Sequence, residues 1–330
     1  MPELYDVAAI GNAIVDVIGS ASEAFLAENG LTKGAMMLVD PEQSAALYGR
    51  MTPEIEASGG SAANTIAGLA SFGGRGAFMG KVADDDLGKT FARDMAAIGA
   101  RFENAPLLDG PSTAVSMINV TPDAQRTMCT YLGASVEFTD DDVDIATVEA
   151  ARIVYLEGYL FDAEAARRAF AKAAALAHGA GRMIALTLSD SFVVERHRAG
   201  LLGFIETQVD LLFANEAELK ALFETDDFDL AAAEIAKSAK LCAVTRSEKG
   251  SVVIRGAERW AVPAFPVEKI VDTTGAGDQY AAGFMFGLAT DRPLADCGRL
   301  GSLAAAEVIS HYGPRPQVSL KDLAAAKGLI

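Results

Sequence analysis

The sequence predicts an α/β fold: a central, mostly parallel sheet with helices on both faces, plus a small β-lid over its ligand edge. Three observations carry this reading. Short β-like runs alternate with longer helical patterns, the rhythm of β-α-β units. Those runs are almost continuously apolar, as strands covered on both faces must be. Two regions, 34–40 and 112–132, break the rhythm with strand-like runs that have no helix between them.

In chain order, YDVAAIG (5–11) reads as the first strand, with GNAIVD (11–16) at its exit. AMMLVD, within 34–40, is the first strand-like lid segment. GGSAANTIAGLASFGGRGAFMGKVADDDLG (59–88) follows. Gly59 and Gly60 permit a tight turn there, Ser61 is expected to cap a helix running through Leu69, and Asn64 sits one turn inside. STAVSMINV and QRTMCTYLG supply the second lid segment. ARIVYLEG (151–158), GRMIALTL (181–188), VDLLFAN (209–215) and KLCAVTR (240–246) read as further buried strands, with helices expected over 162–178, 216–223 and 228–238. A loop at 271–278 enters an apolar helix. Helices over 300–310 and 320–330 complete the chain. No linker or internal repeat is evident, so 1–330 reads as a single domain, its lid built from about 13–57 and 105–135.

Composition narrows the function. Lys and Arg total 28 against 45 Asp and Glu, a net charge of −17 with no basic block. Nucleic acid and anionic membrane surfaces are therefore disfavoured as partners, although a small anionic ligand needs only a local site. No apolar run approaches a membrane span. The segment MPELYDVAAIGNAIVDVIG lacks a basic leader and reads as a strand. Cys129, Cys242 and Cys297 are odd in number and widely spaced, which suits reduced thiols in a cytoplasmic protein. The three histidines lack metal-ligand spacing.

VDTTGAGDQYAAGFMFG (271–287) poses the chemical question. As structure alone it is a loop entering a buried helix, with Asp278 favoured by the helix dipole. Functionally it is a row of backbone N–H groups for an anion, with a carboxylate beside it. Two rival nucleotide motifs fail. ADDDLGKT has Ala83 where a phosphate loop needs its first glycine, and Asp84, Asp85 and Asp86 would repel phosphate. No G-x-G-x-x-G follows the first strand, which disfavours a dinucleotide enzyme.

GGSAAN followed by Gly73 and Gly80, together with DTTGAGD, resembles the paired signature of the PfkB, or ribokinase-like, family of small-molecule kinases. GNAIVD, YLEGY (155–159), NEAE (215–218) and TRSEKG (245–250) fall in that family's order, so the resemblance spans almost the whole chain. It implies a ribokinase-like fold and transfer of the ATP γ-phosphate to a primary hydroxyl.

The resemblance assigns Asp278 as the base and places the transferring phosphate on Gly275, Ala276 and Gly277. Near a helix N-terminus, Asp278 is expected to ionise easily and to be a weak base, which a loose transition state tolerates. Asn12, Asp16, Gly60, Ser61 and Asn64 are expected to bind acceptor hydroxyls, and Glu157 to touch the acceptor from a strand end. Asn215 and Glu218 would order Mg²⁺ through water, and Thr245, Ser247 and Gly250 would contact ATP. Ser302 falls where relatives meet the adenine, and Asp272 with Thr274 could offer oxygens to a monovalent cation such as K⁺.

The acceptor is read as a nucleoside, adenosine-like. Its base would be surrounded by Met36, Leu38, Met117, Tyr131 and Leu132, and its pocket holds no Arg or Lys cluster for a phosphorylated sugar. A free sugar such as ribose or fructose is the alternative. A non-catalytic nucleoside-binding regulator on the same fold is the second. The protein is expected to act as a monomer or homodimer.

Overall fold

A computed structural model describes residues 4–123 and 125–330. Residues 1–3 of the expected domain and Ala124 of the expected lid segment lie outside the described residues. In chain order the strands are β1 (Tyr5–Ile10), β2 (Ile14–Ser20), β3 (Met36–Leu38), β4 (Ile55–Gly59), β5 (Gly76–Met79), β6 (Ala114–Val120) and β7 (Arg126–Tyr131). They continue as β8 (Ala151–Glu157), β9 (Met183–Thr187), β10 (Leu211–Asn215), β11 (Leu241–Thr245), β12 (Ser251–Arg255) and β13 (Glu258–Val262). The helices begin with α1 (Glu23–Glu28), α2 (Pro41–Tyr48), α3 (Ser61–Ser71), α4 (Asp86–Ala97), α5 (Ile145–Ala150) and α6 (Glu164–Gly179). There follow α7 (Ser191–Gln208), α8 (Glu216–Leu222), α9 (Phe228–Ser238), α10 (Ala276–Ala289), α11 (Leu294–Val308) and α12 (Leu320–Ala326).

The larger sheet has the order β13-β12-β11-β10-β9-β8-β1-β5. It is parallel from β5 to β11, and the β12–β13 hairpin closes it antiparallel. Strand alternation sorts its side chains into two cores. Ala8, Ile10, Val154, Leu156, Leu212 and Val244 pack with α6, α7, α8 and α9 on one face. Val7, Ala9, Tyr155, Phe213 and Ala243 pack with α3 and α10 on the other. Burial on both faces explains why these strands read as continuous apolar runs.

The smaller sheet has the order β3-β7-β6-β2-β4. Its two faces differ sharply. Val15, Val17, Val115, Met117 and Cys129 enter the second core beside Phe91 and Met95 of α4. The pairing register puts Asp16, Ser116, Thr130 and Leu38 together on the opposite face. The strand-like runs foresaw β3, β6 and β7; β2 and β4 were not foreseen as separate strands.

Two expectations about the ligand surround are corrected here. Met117 is fully buried in the core and cannot border a ligand. Tyr131 pairs with Val115, so its side chain lies on the core-side face, away from Asp16. Met36 and Leu38 do share the Asp16 face and are exposed, and Leu132, just past β7, is half-buried.

β5, β12, β13, α1, α2, α4, α5 and α7 were not foreseen either, and the helix expected over 300–310 begins earlier, at Leu294. Gly60, not Ser61, caps α3, and it does so with φ 91°. The terminal helix ends at Ala326, ahead of Lys327 and Gly328. All three cysteines are free and buried. Among the described residues no helix is long and apolar enough to cross a membrane.

Candidate active site

The parallel strands end along one edge, and the residues singled out by sequence gather there, as ligand sites of open α/β sheets do. Glu157 closes β8 opposite Thr187 of β9, and Asn215 closes β10 opposite Thr245 of β11. Behind this edge two helices bring their N-termini together, α3 from the glycine pair and α10 from the 271–278 loop.

Gly275 opens α10 in the left-handed region, with φ 79°, and a Cβ there would lie 2.7 Å from Pro314. Only glycine suits both conditions. Gly277, by contrast, faces open space: a Cβ built on it meets no atom within 4 Å. Ala276 N–H reaches Thr273 O at 3.3 Å. Among the described residues no acceptor is found for the N–H groups of Gly277 and Asp278. The head of α10 is thus a set of unpaired donors beside empty space, a geometry that suits an anion.

Asp278 closes one side of that space. Its Oδ1 accepts from Ser61 Oγ at 2.6 Å and its Oδ2 from Asn64 Nδ2 at 3.3 Å. Burial pushes its carboxyl up to about 6, against the lowering effect of Ser61, Asn64 and Arg315. This corrects the expected easily ionised, weak base. Desolvation outweighs the helix terminus, leaving a better proton acceptor close to neutral pH.

The glycine pair has a separate cause at each position. A Cβ on Gly59 would lie 2.5 Å from the Asp16 carboxyl, and one on Gly60 would lie 2.3 Å from Asn12 O. Asp16, Asn12 and α3 can therefore converge. Burial also raises the Asp16 carboxyl to about 6, opposed by the charges of Arg315 and Arg126. Asn12 is buried, and its Oδ1 has no partner.

Glu157 departs from expectation. It is 1% exposed, and it binds protein rather than solvent. Oε1 accepts from Asn12 N–H at 3.3 Å and Asn12 Nδ2 at 2.9 Å, while Oε2 accepts from Ala62 N–H at 2.9 Å. Burial lifts it to about 7. Direct acceptor contact is replaced by support of two elements that reach the site.

The nucleotide-side residues divide likewise. Asn215 and Glu218 form a reciprocal capping box. Asn215 Oδ1 accepts from Glu218 N–H at 2.8 Å, and the Glu218 carboxylate accepts from Asn215 N–H and Nδ2 at 2.9 and 2.7 Å. Glu218 is buried and rises to about 7 through desolvation, with Asp190 contributing. Among the described residues no cluster of three or more acidic, His or Cys side chains could cage a metal; this donor set suits Mg²⁺ only through retained water.

Thr245 ends β11, and Ser247 and Gly250 lie in the tight turn that follows, with φ 53° at Ser247 and 83° at Gly250. Ser302 accepts from Phe265 N–H at 3.0 Å and donates to Pro263 O at 3.2 Å. Its hydroxyl holds a loop and is not free for adenine. Asp272 accepts from Thr274 N–H and Oγ1 at 3.0 and 2.7 Å, and from Gly313 N–H at 3.1 Å. Arg126 of β7 pairs with it at 2.7 Å. The expected cation-binding carboxylate is thereby saturated and already neutralised by a guanidinium.

Arg126 and Arg315 are the functional candidates that sequence reading missed, and they correct the statement that the pocket holds no basic cluster. Neither lies in a motif. The only signal was an arginine at the head of the apolar strand RTMCTY.

An open parallel sheet whose edge joins a glycine-headed helix N-terminus to a desolvated carboxylate matches a small-molecule kinase of ribokinase-like architecture. The chain belongs to the pfkB family of carbohydrate kinases, whose profile matches residues 54–320. It is similar to the adenosine kinase from Sinorhizobium meliloti, at 53% identity and TM-score 0.90, covering 98% of this chain and 99% of that one. It is also similar to a probable sugar kinase from Rhizobium etli CFN 42, at 47% identity and TM-score 0.92 over the whole of both chains. An ATP-dependent ribose-1-phosphate kinase from Halopiger xanaduensis shares 30% identity over 256 residues, 76% of this chain and 81% of that protein. The protein is an ATP-dependent kinase with an alcohol group as acceptor, which removes the non-catalytic alternative.

Proposed function

We propose that the protein phosphorylates the 5′-hydroxyl of an adenosine-like nucleoside, using MgATP. The observation that carries this is the layout of the Asp16 face. Asp16 and Asn12 lie against Gly59 and Gly60, at the head of the helix that carries Asn64, while Met36 and Leu38 extend an exposed apolar surface outward. A ribose suits the first and a flat base the second, since apolar area favours a purine far more than a sugar ring. The similarity to an adenosine kinase over nearly the whole chain supports the same reading.

Asp278 accepts the proton of the acceptor hydroxyl, held in place by Ser61 and Asn64. The N–H groups of Gly277 and Asp278 stabilise charge on the transferring phosphoryl oxygens. Asn215 and Glu218, with the charge of Asp190 acting on Glu218, would hold Mg²⁺ through water, and the ion would offset negative charge on the phosphates. Thr245, Ser247 and Gly250 border the nucleotide. The smaller sheet acts as a lid whose closure excludes water.

A free sugar remains the second reading, favoured by the similarity to the probable sugar kinase. Comparing kcat/KM for adenosine, ribose and fructose decides between them. Adenosine is expected to lead. A sugar exceeding it tenfold, about 1.4 kcal/mol of transition-state preference, overturns the nucleoside assignment.

A further inference from the structure

Arg315 lies past α11 in the sequence Gly313-Pro314-Arg315-Pro316. Two of its nitrogens are held by protein: Nε donates to Asn64 Oδ1 at 3.1 Å and Nη1 to Ser58 Oγ at 2.8 Å. Nη2 is buried and has no partner. Its segment is anchored from below, because Gln279 Nε2 donates to both Pro314 O and Asn64 O at 2.9 Å. The guanidinium is therefore fixed by two side chains and a pinned backbone, with one N–H group left over.

Asp16 is the complementary case. Its carboxyl lies against Gly59, 2.5 Å from where a Cβ there would stand, and Gly59 follows the Ser58 whose Oγ holds Arg315. Yet among the described residues the two form no ion pair within 4 Å, and the Asp16 carboxylate accepts no hydrogen bond. An unmet buried donor and an unmet acceptor that attract without touching are each costly. The group that satisfies both must donate and accept at once, and a hydroxyl does so.

We infer that Arg315 is an acceptor-binding residue that reads one ribose hydroxyl jointly with Asp16. The hydroxyl donates its proton to the Asp16 carboxylate and accepts from Arg315 Nη2. The inference rests on the nucleoside reading for the identity of the diol. Arg315 then does two things: it binds the acceptor, and through Asn64 Oδ1 it turns the Asn64 amide so that Nδ2 faces Asp278.

The test is a cycle of protein and substrate changes. Adenosine turnover by the unmodified protein first tests the nucleoside reading alone; if adenosine fails, that reading falls and the cycle is run with ribose and 2-deoxyribose. With adenosine, kcat/KM is compared with 2′-deoxyadenosine and 3′-deoxyadenosine. Losing a hydroxyl bonded to charged groups is expected to cost the unmodified protein roughly 10- to 100-fold on one of them. In Arg315→Met, adenosine falls and the gap between it and that analogue narrows at least about 3-fold, the remainder being held by Asp16. Arg315→Lys, which keeps the charge and the fold but lacks the forked donor, narrows the gap at least about 3-fold. A gap that persists in full in both variants overturns the inference, because a role confined to holding Asn64 lowers kcat for all acceptors alike. If the Met variant does not fold, the Lys variant decides.

Discussion

Ser61 Oγ donates to Asp278 Oδ1 at 2.6 Å, joining residues 217 positions apart in the chain. The bond locks the N-terminus of α3 to that of α10. It also bears on acidity, since Ser61 is the strongest of the groups lowering the Asp278 carboxyl, which burial raises to about 6. Removing it leaves the desolvation without its main opponent.

Ser61→Ala is therefore expected to move the acid limb of kcat/KM upward from near pH 6. Asp278→Asn should lower kcat by at least ~10²-fold, the contribution of a positioned base. A pH profile identical in Ser61→Ala and unmodified protein refutes the coupling.

The same carboxyl bears on stability, with a definite sign. A folded-state value raised above the unfolded one means that ionisation opposes folding. The contribution of Asp278 is full below about pH 4 and is lost as pH rises through about 6. Asp278→Asn removes the desolvated charge, so it should raise Tm at pH 8 by ~1.5 °C or more, the shift given by about 1 kcal/mol in a chain of this size. At pH 4 the gain should vanish. Thermal melts at the two pH values check this, and an equal gain at both contradicts a titrating Asp278.

The glycines of the α10 entry should separate fold from function. Gly275→Ala imposes a side chain at φ 79° against Pro314 and should lower Tm. Gly277→Val projects only into open space, so folding should be kept while turnover is lost and ATP binding weakens. Calorimetry and melting of both variants distinguish them; normal ATP affinity and turnover in Gly277→Val refute the anion site.

Glu157 offers a test of indirect action. Glu157→Gln turns one N–H group toward Ala62 or Asn12, where only donors wait. Acceptor KM should rise about 10-fold, the scale of a lost charged hydrogen bond, with a smaller change in kcat. A fall confined to kcat would place Glu157 in the chemistry instead.

How much of this was legible in the sequence follows from where the cause lay. Strands covered on both faces write themselves as apolar runs, so β1, β8, β9, β10 and β11 were found with little error. The Asp16 strand, β2, was not separated from β1 because IVDVIGS mixes buried and half-buried positions and follows directly in a segment read as one strand. Gly59, Gly60, Gly275 and Asp278 announced themselves by residue type. Glu157 was visible as a residue but not as a buried one, since burial depends on Gly11 and Ala62 closing over it. Arg126 and Arg315 were invisible because their partners, Asp272 and Asn64, are brought near only by the fold. The Asp278 shift was misjudged for the same reason: the helix terminus is local, but desolvation is tertiary.

The Asp16 face of the smaller sheet is where acceptor choice should be decided. Leu38 is 63% exposed and Met117 fully buried, although both belong to strands of the same sheet. Side-chain direction separates them: Leu38 stands on the Asp16 face, Met117 on the core face. Leu38→Asp places a charge where a base would lie, and it leaves the core untouched. Adenosine kcat/KM should then fall at least ~10-fold, corresponding to the loss of a buried apolar contact, while Tm holds and any weak ribose turnover is unchanged. Leu132→Asp should act in the same direction. Met117→Ala should instead destabilise the protein by roughly 2–5 kcal/mol as a core truncation, lowering Tm for reasons unconnected with the acceptor. If Leu38→Asp depresses adenosine and ribose turnover equally, this face serves closure of the site and not recognition of the base.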